Sequence, residues 1–342
     1  MVCPKCSSDS PEGVRFCEVC GLKMVSDPPA NPQRGAISIS GCRCGAGVEE
    51  IDENGYCLSC GLQRSQVIRN HREESLSSTF AAITDIGLRH FKNEDDFAIS
   101  IVKGEAGEAC IVVVCDGLSS ASNSDDASTI ACRTAQESLE LSVQLGGQPA
   151  KSVAEAIFTA HQAVCSLPLP PAGTQKDPPE TTIVLALIDK GVATVGWVGD
   201  SRAYWITKAE ATPLTHDHSW VNEVVDSGQM LEEEALLSKQ AHAITQCLGR
   251  LDGEPALIEP SYASLPIRAE GKLLLCSDGL WNYAPKPADI FQLVNAVENE
   301  PDCHATCLRL IEFARSRGGR DNITVAILNF HMIESYENVS FV

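Results

Sequence analysis

The sequence has little that would place it in a membrane or on nucleic acid. No apolar run reaches about 18 residues, the length of a membrane-spanning helix. The segment Met1–Cys6 lacks the apolar stretch of a secretory signal, so we expect a cytoplasmic protein with no membrane partner. Basic residues are scarce as well, with 26 Lys and Arg against 46 Asp and Glu and a net charge of −20. Such a chain is a poor general binder of nucleic acid, so none is expected as a partner.

The negative charge is confined to one part of the chain. Residues 1–72 are balanced, with 8 basic and 8 acidic residues, and the remainder carries the whole excess. A length of 342 residues suggests about two domains at roughly 150 residues each. The apolar fraction of 44% is ample for a packed core.

Half of the sixteen cysteines lie in close pairs within the first 60 residues. Without a secretory signal, clustered pairs indicate metal ligands rather than disulfides. The first set has two C-x2-C pairs, a pattern suited to tetrahedral Zn²⁺, in Cys3, Cys6, Cys17 and Cys20. The second set, which opens with a less usual C-x-C pair, is Cys42, Cys44, Cys57 and Cys60. Both segments resemble zinc ribbons, so two structural Zn²⁺ are predicted; reduced, unstructured thiols are the alternative.

Zinc ribbons of this size dock proteins, bind nucleic acid or serve only as structure. A Zn²⁺ with four thiolates carries a charge of about −2. Two such sites disfavour contact with a phosphate backbone and favour a protein-docking role.

From about residue 75 the pattern changes to that of an α+β domain. Runs of strand length are Ala109–Cys115, Thr181–Ile188, Val192–Val198, Lys272–Cys276 and Ile323–Leu328. Helical spacing marks Asp125–Leu145, Ser152–Cys165 and Asp302–Ala314. Asp189-Lys-Gly191 predicts a hairpin turn, and the proline-rich stretch Leu167–Glu180 predicts a solvated loop.

Acidic residues stand at the ends of three predicted strands. They occur as Asp116-Gly117, Asp278-Gly279 and Asp321-Asn322, with a further cluster at Asn93–Asp96. A single Asp-Gly is most often an ordinary turn. Together, however, rigid strands that end in carboxylates suit hard cations such as Mg²⁺ and Mn²⁺, which prefer oxygen ligands.

These residues fall within a series of motifs that occur in one order. The series is Thr84-Asp-Ile-Gly87, Asn93-Glu-Asp95, Cys115-Asp-Gly117, Thr181-Thr182, Val198-Gly-Asp-Ser-Arg202, Leu214-Thr-His-Asp-His-Ser219, Leu275-Cys-Ser-Asp-Gly-Leu280 and Gly319-Arg-Asp-Asn-Ile-Thr324. It resembles the metal-dependent Ser/Thr protein phosphatases, the type 2C or PPM family, in their bacterial form. The resemblance implies a four-layer α-β-β-α sandwich with a metal centre at one end of two stacked sheets.

The resemblance also implies roles for individual residues around two Mn²⁺ or Mg²⁺ ions. Asp116 would bridge the ions, and the carbonyl of Gly117 would ligate the second. The implied catalytic residues, of which Glu94 and Asp95 would act through metal-bound waters, are Glu94, Asp95, Asp116, Asp278 and Asp321. A water activated by the two ions would attack phosphorus in line, so no cysteine nucleophile is needed. Asp200 to Arg202 are expected to be structural.

Some positions depart from the family pattern. Where many members have an Arg that contacts substrate phosphate, this chain has His90 with Arg89 beside it. Either residue is a candidate to bind the substrate phosphate. The alternative is that neither residue contacts the substrate. The candidate for a third metal is Asp177, and the neutral Asn282 predicts that such an ion binds weakly. Trp220–Ala243 matches the family's acidic flap, which either favours basic phosphopeptides or is a solvated helix face.

The sequence therefore predicts several segments. They are zinc ribbon 1 (1–25), a linker (26–40), zinc ribbon 2 (41–63), a linker (64–75), the phosphatase domain (76–332) and a tail (333–342). The predicted function is hydrolysis of phosphoserine and phosphothreonine in phosphoprotein substrates, within a Ser/Thr kinase system, with partners docked on the ribbons. One alternative is a non-catalytic adaptor that binds phosphoproteins. The other is a nucleic-acid-binding protein whose zinc ribbons make the contact.

Overall fold

The structure, a computed structural model, describes residues 69–104, 107–170, 173, 177–251, 254–296 and 302–330. All of them belong to the unit Leu62–Val342. The two predicted zinc ribbons, with their eight cysteines, lie outside the described residues.

The described chain has runs of strands separated by groups of two or three helices, as expected for an α+β domain. The strands are β1 (His71–Ser77), β2 (Phe80–Asp85), β3 (Asp95–Gly104), β4 (Gly107–Asp116), β5 (Glu180–Thr181), β6 (Ile183–Asp189), β7 (Val192–Val198), β8 (Arg202–Ile206), β9 (Ala211–Pro213), β10 (Leu248–Leu251), β11 (Glu254–Pro255), β12 (Ser261–Pro266), β13 (Gly271–Cys276) and β14 (Ile323–Phe330). The helices are α1 (Ser124–Gln144), α2 (Pro149–Cys165), α3 (Trp220–Asp226), α4 (Glu232–Ala235), α5 (Asp278–Trp281), α6 (Pro287–Val294) and α7 (Cys303–Ser316).

The strands form two large antiparallel sheets and one small one. The six-stranded sheet has the order β1-β2-β14-β13-β8-β9, and the five-stranded sheet has the order β12-β7-β6-β4-β3. The small sheet has the order β11-β10-β5. The central strands β4 and β6 contain continuous apolar runs, as expected for strands covered on both faces.

Alternate residues of the central strands belong to different cores. In β4, Ile111 and Val113 pack in a core with α1 and α2, whereas Val112 and Val114 pack in a core that joins the two large sheets. In β14, Ile327 packs in a third core, which contains residues of α6 and α7. The period of two along a strand produces this division.

The structure bears out most of the predicted elements. The hairpin between β6 and β7 is present, with Asp189 opposite Val192 and positive φ at Lys190 (51°) and Gly191 (72°), the geometry of a type I′ turn. The predicted linker 64–75 overlaps β1, which pairs with β2. This strand has a polar sequence at a sheet edge, so no apolar run marked it.

Residues 220–243 form an excursion with a small core of its own. Its ends are joined by the Trp220 N–H, which donates to the Ala243 carbonyl (2.9 Å). Val221, Val224 and Ala235 are the buried residues of its core. None of the helices in the described part of the chain combines the length and apolar character that a membrane crossing requires.

Candidate metal centre

Two carboxylates face each other where β3 begins and β4 ends. Asp95 is the first residue of β3, Asp116 is the last of β4, and the two are direct partners in the antiparallel register. Burial is the main cause that raises the pKa of Asp95 to about 7, and the charge of Asp321 adds to it. Burial, followed by the charge of Asp95, also raises the pKa of Asp116 well above its usual value.

The other sheet brings two more carboxylates to the same place. Asp278 begins α5 directly after β13, and Asp321 lies just before β14, the partner of β13. Burial raises the pKa of Asp278 well above its usual value, and the charges of Asp200 and Asp321 raise it further. The sequence-predicted carboxylates of both sheets therefore interact with one another.

The hydrogen bonds of these carboxylates leave oxygens available. Ser277 Oγ and Thr324 Oγ1 each donate to Asp95 Oδ2 at 2.8 Å, and Asn282 Nδ2 donates to Asp278 Oδ2 at 2.9 Å. Asp95 Oδ1 and Asp278 Oδ1 are buried and have no hydrogen-bond partner. Buried, unpartnered carboxylate oxygens amid like charges fit a bound cation, which would offset the cost of their desolvation.

The described residues do not form a closed metal cage. Among them, no group of three or more His, Cys, Asp or Glu side chains has a geometry that could hold a metal ion. The oxygens that the centre does present are those of carboxylates, the ligand type that hard cations such as Mg²⁺ and Mn²⁺ prefer.

Asp200, which the sequence predicts to be structural, also interacts with these carboxylates. Burial and, after it, the charge of Asp217 together raise the pKa of Asp200 to about 7. Its charge is the largest electrostatic influence on Asp278. The motif indicated only a turn after β7; the proximity to Asp278 depends on the pairing of β8 with β13, which local sequence does not reveal.

Gly117, the predicted backbone ligand, lies where no side chain fits. A Cβ there would clash with the backbone carbonyls of Ser124 and Glu94. The Gly117 N–H donates to the Glu94 carbonyl at 3.1 Å. The glycine therefore lets the loop after β4 approach the Glu94 segment closely.

Glu94 lies beside the cluster but is held by its own set of partners. Its Oε1 accepts from Ser124 Oγ, and its Oε2 accepts from Ser119 Oγ at 2.7 Å. Lys92 Nζ is 3.2 Å from Oε1. Burial opposes ionisation, but these hydrogen bonds outweigh it and lower the pKa of Glu94. The sequence did not signal the two serines as partners of Glu94.

The two candidates for substrate phosphate differ in their surroundings. His90 Nε2 lies 3.2 Å from Asp321 Oδ1, and its Nδ1 lies 4.0 Å from Glu94 Oε2. His90 is therefore placed at the acidic centre, close to both carboxylates. Arg89 is exposed on the preceding turn.

Asp177, the candidate for a third metal, belongs to different surroundings. Its carbonyl accepts from the Ser122 N–H at 2.9 Å. Its charge, after burial, contributes to raising the pKa of Glu180 to about 7. Asp177 is not among the main groups that shift the pKa of Asp116 or Asp278. Asn282, by contrast, contacts the acidic centre, because its side-chain amide donates a hydrogen bond to Asp278.

The cysteines Cys110, Cys115 and Cys276, which lie on strands, are buried small apolar residues. Cys110, Cys115 and Cys276 are at most 1% exposed. Burial raises the pKa of Cys110 and of Cys276 to about 12, so these thiols stay protonated and poorly nucleophilic at neutral pH.

The two sheets and the carboxylates between them thus define an α+β protein with a candidate centre for divalent cations. The profile of the family described as Protein phosphatase 2C matches residues 89–324, more than half of the chain. The chain therefore belongs to the protein phosphatase 2C family.

Several individual proteins are similar to this chain. A Serine/threonine phosphatase stp of Listeria welshimeri is 31% identical over 162 residues, which is 47% of this chain and 60% of the relative. Protein phosphatase PhpP of Streptococcus pneumoniae is 38% identical over 151 residues, 44% of this chain and 58% of the relative. The matched region thus spans about three fifths of the length of these relatives.

Solved structures are similar over most of the described domain. The serine/threonine phosphatase of S. agalactiae superposes with a TM-score of 0.58 at 28% identity, covering 75% of this chain and 98% of the other. The catalytic domain of the phosphatase PstP, solved with two manganese ions, gives a TM-score of 0.57 at 27% identity, covering 73% and 96%.

Proposed function

We propose that this chain is a metal-dependent protein phosphatase that hydrolyses phosphoserine and phosphothreonine in phosphoproteins. The observation that carries the proposal is the convergence of Asp95, Asp116 and Asp278, with two unpartnered buried oxygens, in a member of the protein phosphatase 2C family. The names of the relatives support the substrate class. The manganese in the PstP structure supports Mn²⁺ or Mg²⁺ as the cofactor, with two ions per site.

In this proposal the carboxylates hold the ions and the surrounding residues fix the carboxylates. Asp116, Asp278 and Asp321, with the carbonyl of Gly117, would hold the ions, and Asp95 and Glu94 would support them from beside the centre. When bound, the ions would lower the pKa of a water and offset the charge of the phosphoryl oxygens. His90 would orient Asp321 or bind the phosphate. The four-layer arrangement is part of the proposal and is supported by the three separate cores.

The test is hydrolysis of a phosphothreonine peptide by the full chain with Mn²⁺, compared with excess EDTA. Asp278→Ala should abolish the Mn²⁺-dependent release of phosphate, whereas Asp226→Ala, an exposed carboxylate on α3, should not. If folded, Mn²⁺-loaded protein releases no phosphate, the activity is refuted and a phosphoprotein-binding adaptor becomes the better reading.

The N-terminal cysteines carry a separate part of the proposal. Their spacing supports two structural Zn²⁺ in ribbons that dock protein partners. Metal analysis of the purified full chain should give two zinc per chain, and replacing Cys42 and Cys44 by Ser should remove one. One zinc in the wild-type chain would refute the C-x-C site. A cytoplasmic location and a Ser/Thr kinase system as the source of substrates stay predictions.

A further inference from the structure

The first described residues, Arg69 and Asn70, are bonded to the segment that carries two of the acidic residues. Arg69 Nε donates to the Asn93 carbonyl at 2.9 Å, and Asn93 Nδ2 donates back to the Arg69 carbonyl at 3.0 Å. The Asn93 N–H donates to Asn70 Oδ1 at 3.2 Å. Asn93 is fully buried and immediately precedes Glu94 and Asp95.

From Asn93 a chain of hydrogen bonds continues to the carboxylate of Asp95. Asn93 Nδ2 also donates to Thr84 Oγ1 at 2.8 Å, and Thr84 Oγ1 lies 2.7 Å from Thr324 Oγ1. Thr324 Oγ1 donates to Asp95 Oδ2 at 2.8 Å. The Asp95 N–H donates to Asn93 Oδ1 at 3.1 Å, so both the backbone and the side chain of Asp95 depend on Asn93.

The guanidinium of Arg69 also contacts the first turns of α1. Its Nη2 donates to Ser128 Oγ at 3.0 Å and to the Asp125 carbonyl, and its Nη1 donates to Thr129 Oγ1. The same end of α1 supplies Ser124, which donates to Glu94. Arg69 therefore links α1 to the Asn93 segment, and Glu94 is held between the two.

We infer that Arg69 is a positioning residue that sets the metal affinity of the acidic centre through Asn93 and α1, without contact with ion or substrate. The inference rests on the proposed function because it takes Mn²⁺ as the occupant of the centre. A planar group with five donors is required, since it bonds two elements at once. Outer partners of metal sites typically change affinity about 10- to 100-fold when removed.

The test is isothermal titration of the full-length variants with Mn²⁺ in the absence of substrate. The heat that the wild type shows and Asp278→Ala lacks is assigned to Mn²⁺ binding at the acidic centre. Arg69→Met should raise the Mn²⁺ dissociation constant about 10- to 100-fold, and Arg69→Lys should fall between it and the wild type. Arg133→Met is the matched control, because Arg133 lies on α1, the helix that Arg69 contacts, but is exposed and paired with Glu137 at the surface. An unchanged dissociation constant in Arg69→Met would overturn the inference.

Circular dichroism and thermal unfolding show whether each variant is folded. If Arg69→Met does not fold, Asn70→Ala and Arg69→Lys provide the comparison, and wild-type Mn²⁺ affinity in both would overturn the inference. Wild-type chain that binds Mn²⁺ but releases no phosphate would refute the proposed activity and leave the comparison of dissociation constants valid. Wild-type chain that binds no Mn²⁺ would refute both.

Discussion

Asp95 and Asp116 are direct cross-strand partners, so a buried carboxylate and a partly buried one lie opposite each other where β3 begins and β4 ends. Like charges placed opposite each other destabilise a sheet. Burial adds to this cost, as the raised pKa of both groups indicates. The fold therefore retains an arrangement that lowers its own stability, which is typical of a site that binds a cation.

Asp95→Asn should make the metal-free protein more stable and weaken its response to Mn²⁺. The amide keeps an acceptor for Ser277 and Thr324 and removes one of the two facing charges. In EDTA at pH 8, we expect the free energy of unfolding to rise on the order of 2 kcal/mol. For the wild type, Mn²⁺ at 100 times its dissociation constant should add about 2.7 kcal/mol, and Asp95→Asn should lose most of this gain.

Urea unfolding with and without Mn²⁺ measures both effects. Asp226→Asn is the control, since Asp226 is exposed and paired with His216 outside the centre. A metal-free Asp95→Asn protein that is less stable than the wild type would contradict the argument.

The sequence alone predicted the parts of this centre that depend on local pattern. β4 is apolar on both faces and ends at an acidic residue, so its burial and the position of Asp116 could be predicted. The same reasoning applied to β13 and β14, whose apolar runs flank Asp278 and Asp321. Short polar elements such as β1 were missed because pairing with β2, not composition, makes them strands.

The contacts of the site residues could not be predicted in the same way. Glu94 is held by Ser119 and Ser124, which follow β4 and come back to Glu94 only because β4 pairs with β3. Asp200 meets Asp278 through the pairing of distant strands. Hydroxyl and carboxylate partners of this kind leave no periodic signal in the sequence, so only the folded chain reveals them.

Gly117→Ala should destabilise the protein by steric overlap. The added methyl group would meet the backbone carbonyls of Ser124 and Glu94, neither of which can move as a side chain can. We expect a loss of about 2–3 kcal/mol, measured by urea unfolding in EDTA. Gly228→Ala is the control: its φ is +70°, but open space surrounds it, so about 1 kcal/mol of backbone strain is expected. Equal losses in the two variants would contradict the steric explanation.

His71 should make stability depend on pH. Its Nδ1 lies 2.7 Å from Asp85 Oδ2, and its Nε2 lies 2.7 Å from Glu73 Oε1. The hydrogen bond to Asp85 is the largest cause that raises the pKa of His71, against the opposing effect of burial, with Glu73 adding to the rise. The folded state therefore favours the charged imidazole. Its contribution is complete below the unfolded pKa, about 6.5, and is lost as pH rises through the higher folded value.

Urea unfolding of wild type and His71→Gln in EDTA at pH 5.5, 7 and 8.5 tests this. Arg315 and His304 also face the pair, through Asp85 and Glu73 respectively, and both are unchanged in the variant. The difference in unfolding free energy should be on the order of 1 kcal/mol at pH 5.5 and should decrease at higher pH. His216→Gln, which removes an exposed histidine paired with Asp226, is the control for the loss of a surface imidazole. A difference that is constant with pH would rule out the charged imidazole as its source.

Arg202→Lys should loosen the base of the 220–243 excursion. The guanidinium lies 3.6 Å above the ring of Trp281 and donates from Nε and Nη2 to Asp217, which ends the segment before α3. A lysine keeps the charge but neither stacks as a plane nor forms the forked contact, so we expect a loss of about 2 kcal/mol. Trp281 Nε1 donates to the Asp200 carbonyl, so the same change should also reach the acidic centre.

Two measurements separate the local effect from the global one. Urea unfolding gives the loss of stability, and limited proteolysis reports opening of residues 220–243 under native conditions. Lys208→Ala is the control, because Lys208 and its partner Glu270 are both exposed and such a pair contributes at most about 1 kcal/mol. If Arg202→Lys unfolds at the wild-type urea concentration and is cleaved at the wild-type rate, the stacked arginine does not hold the excursion in place.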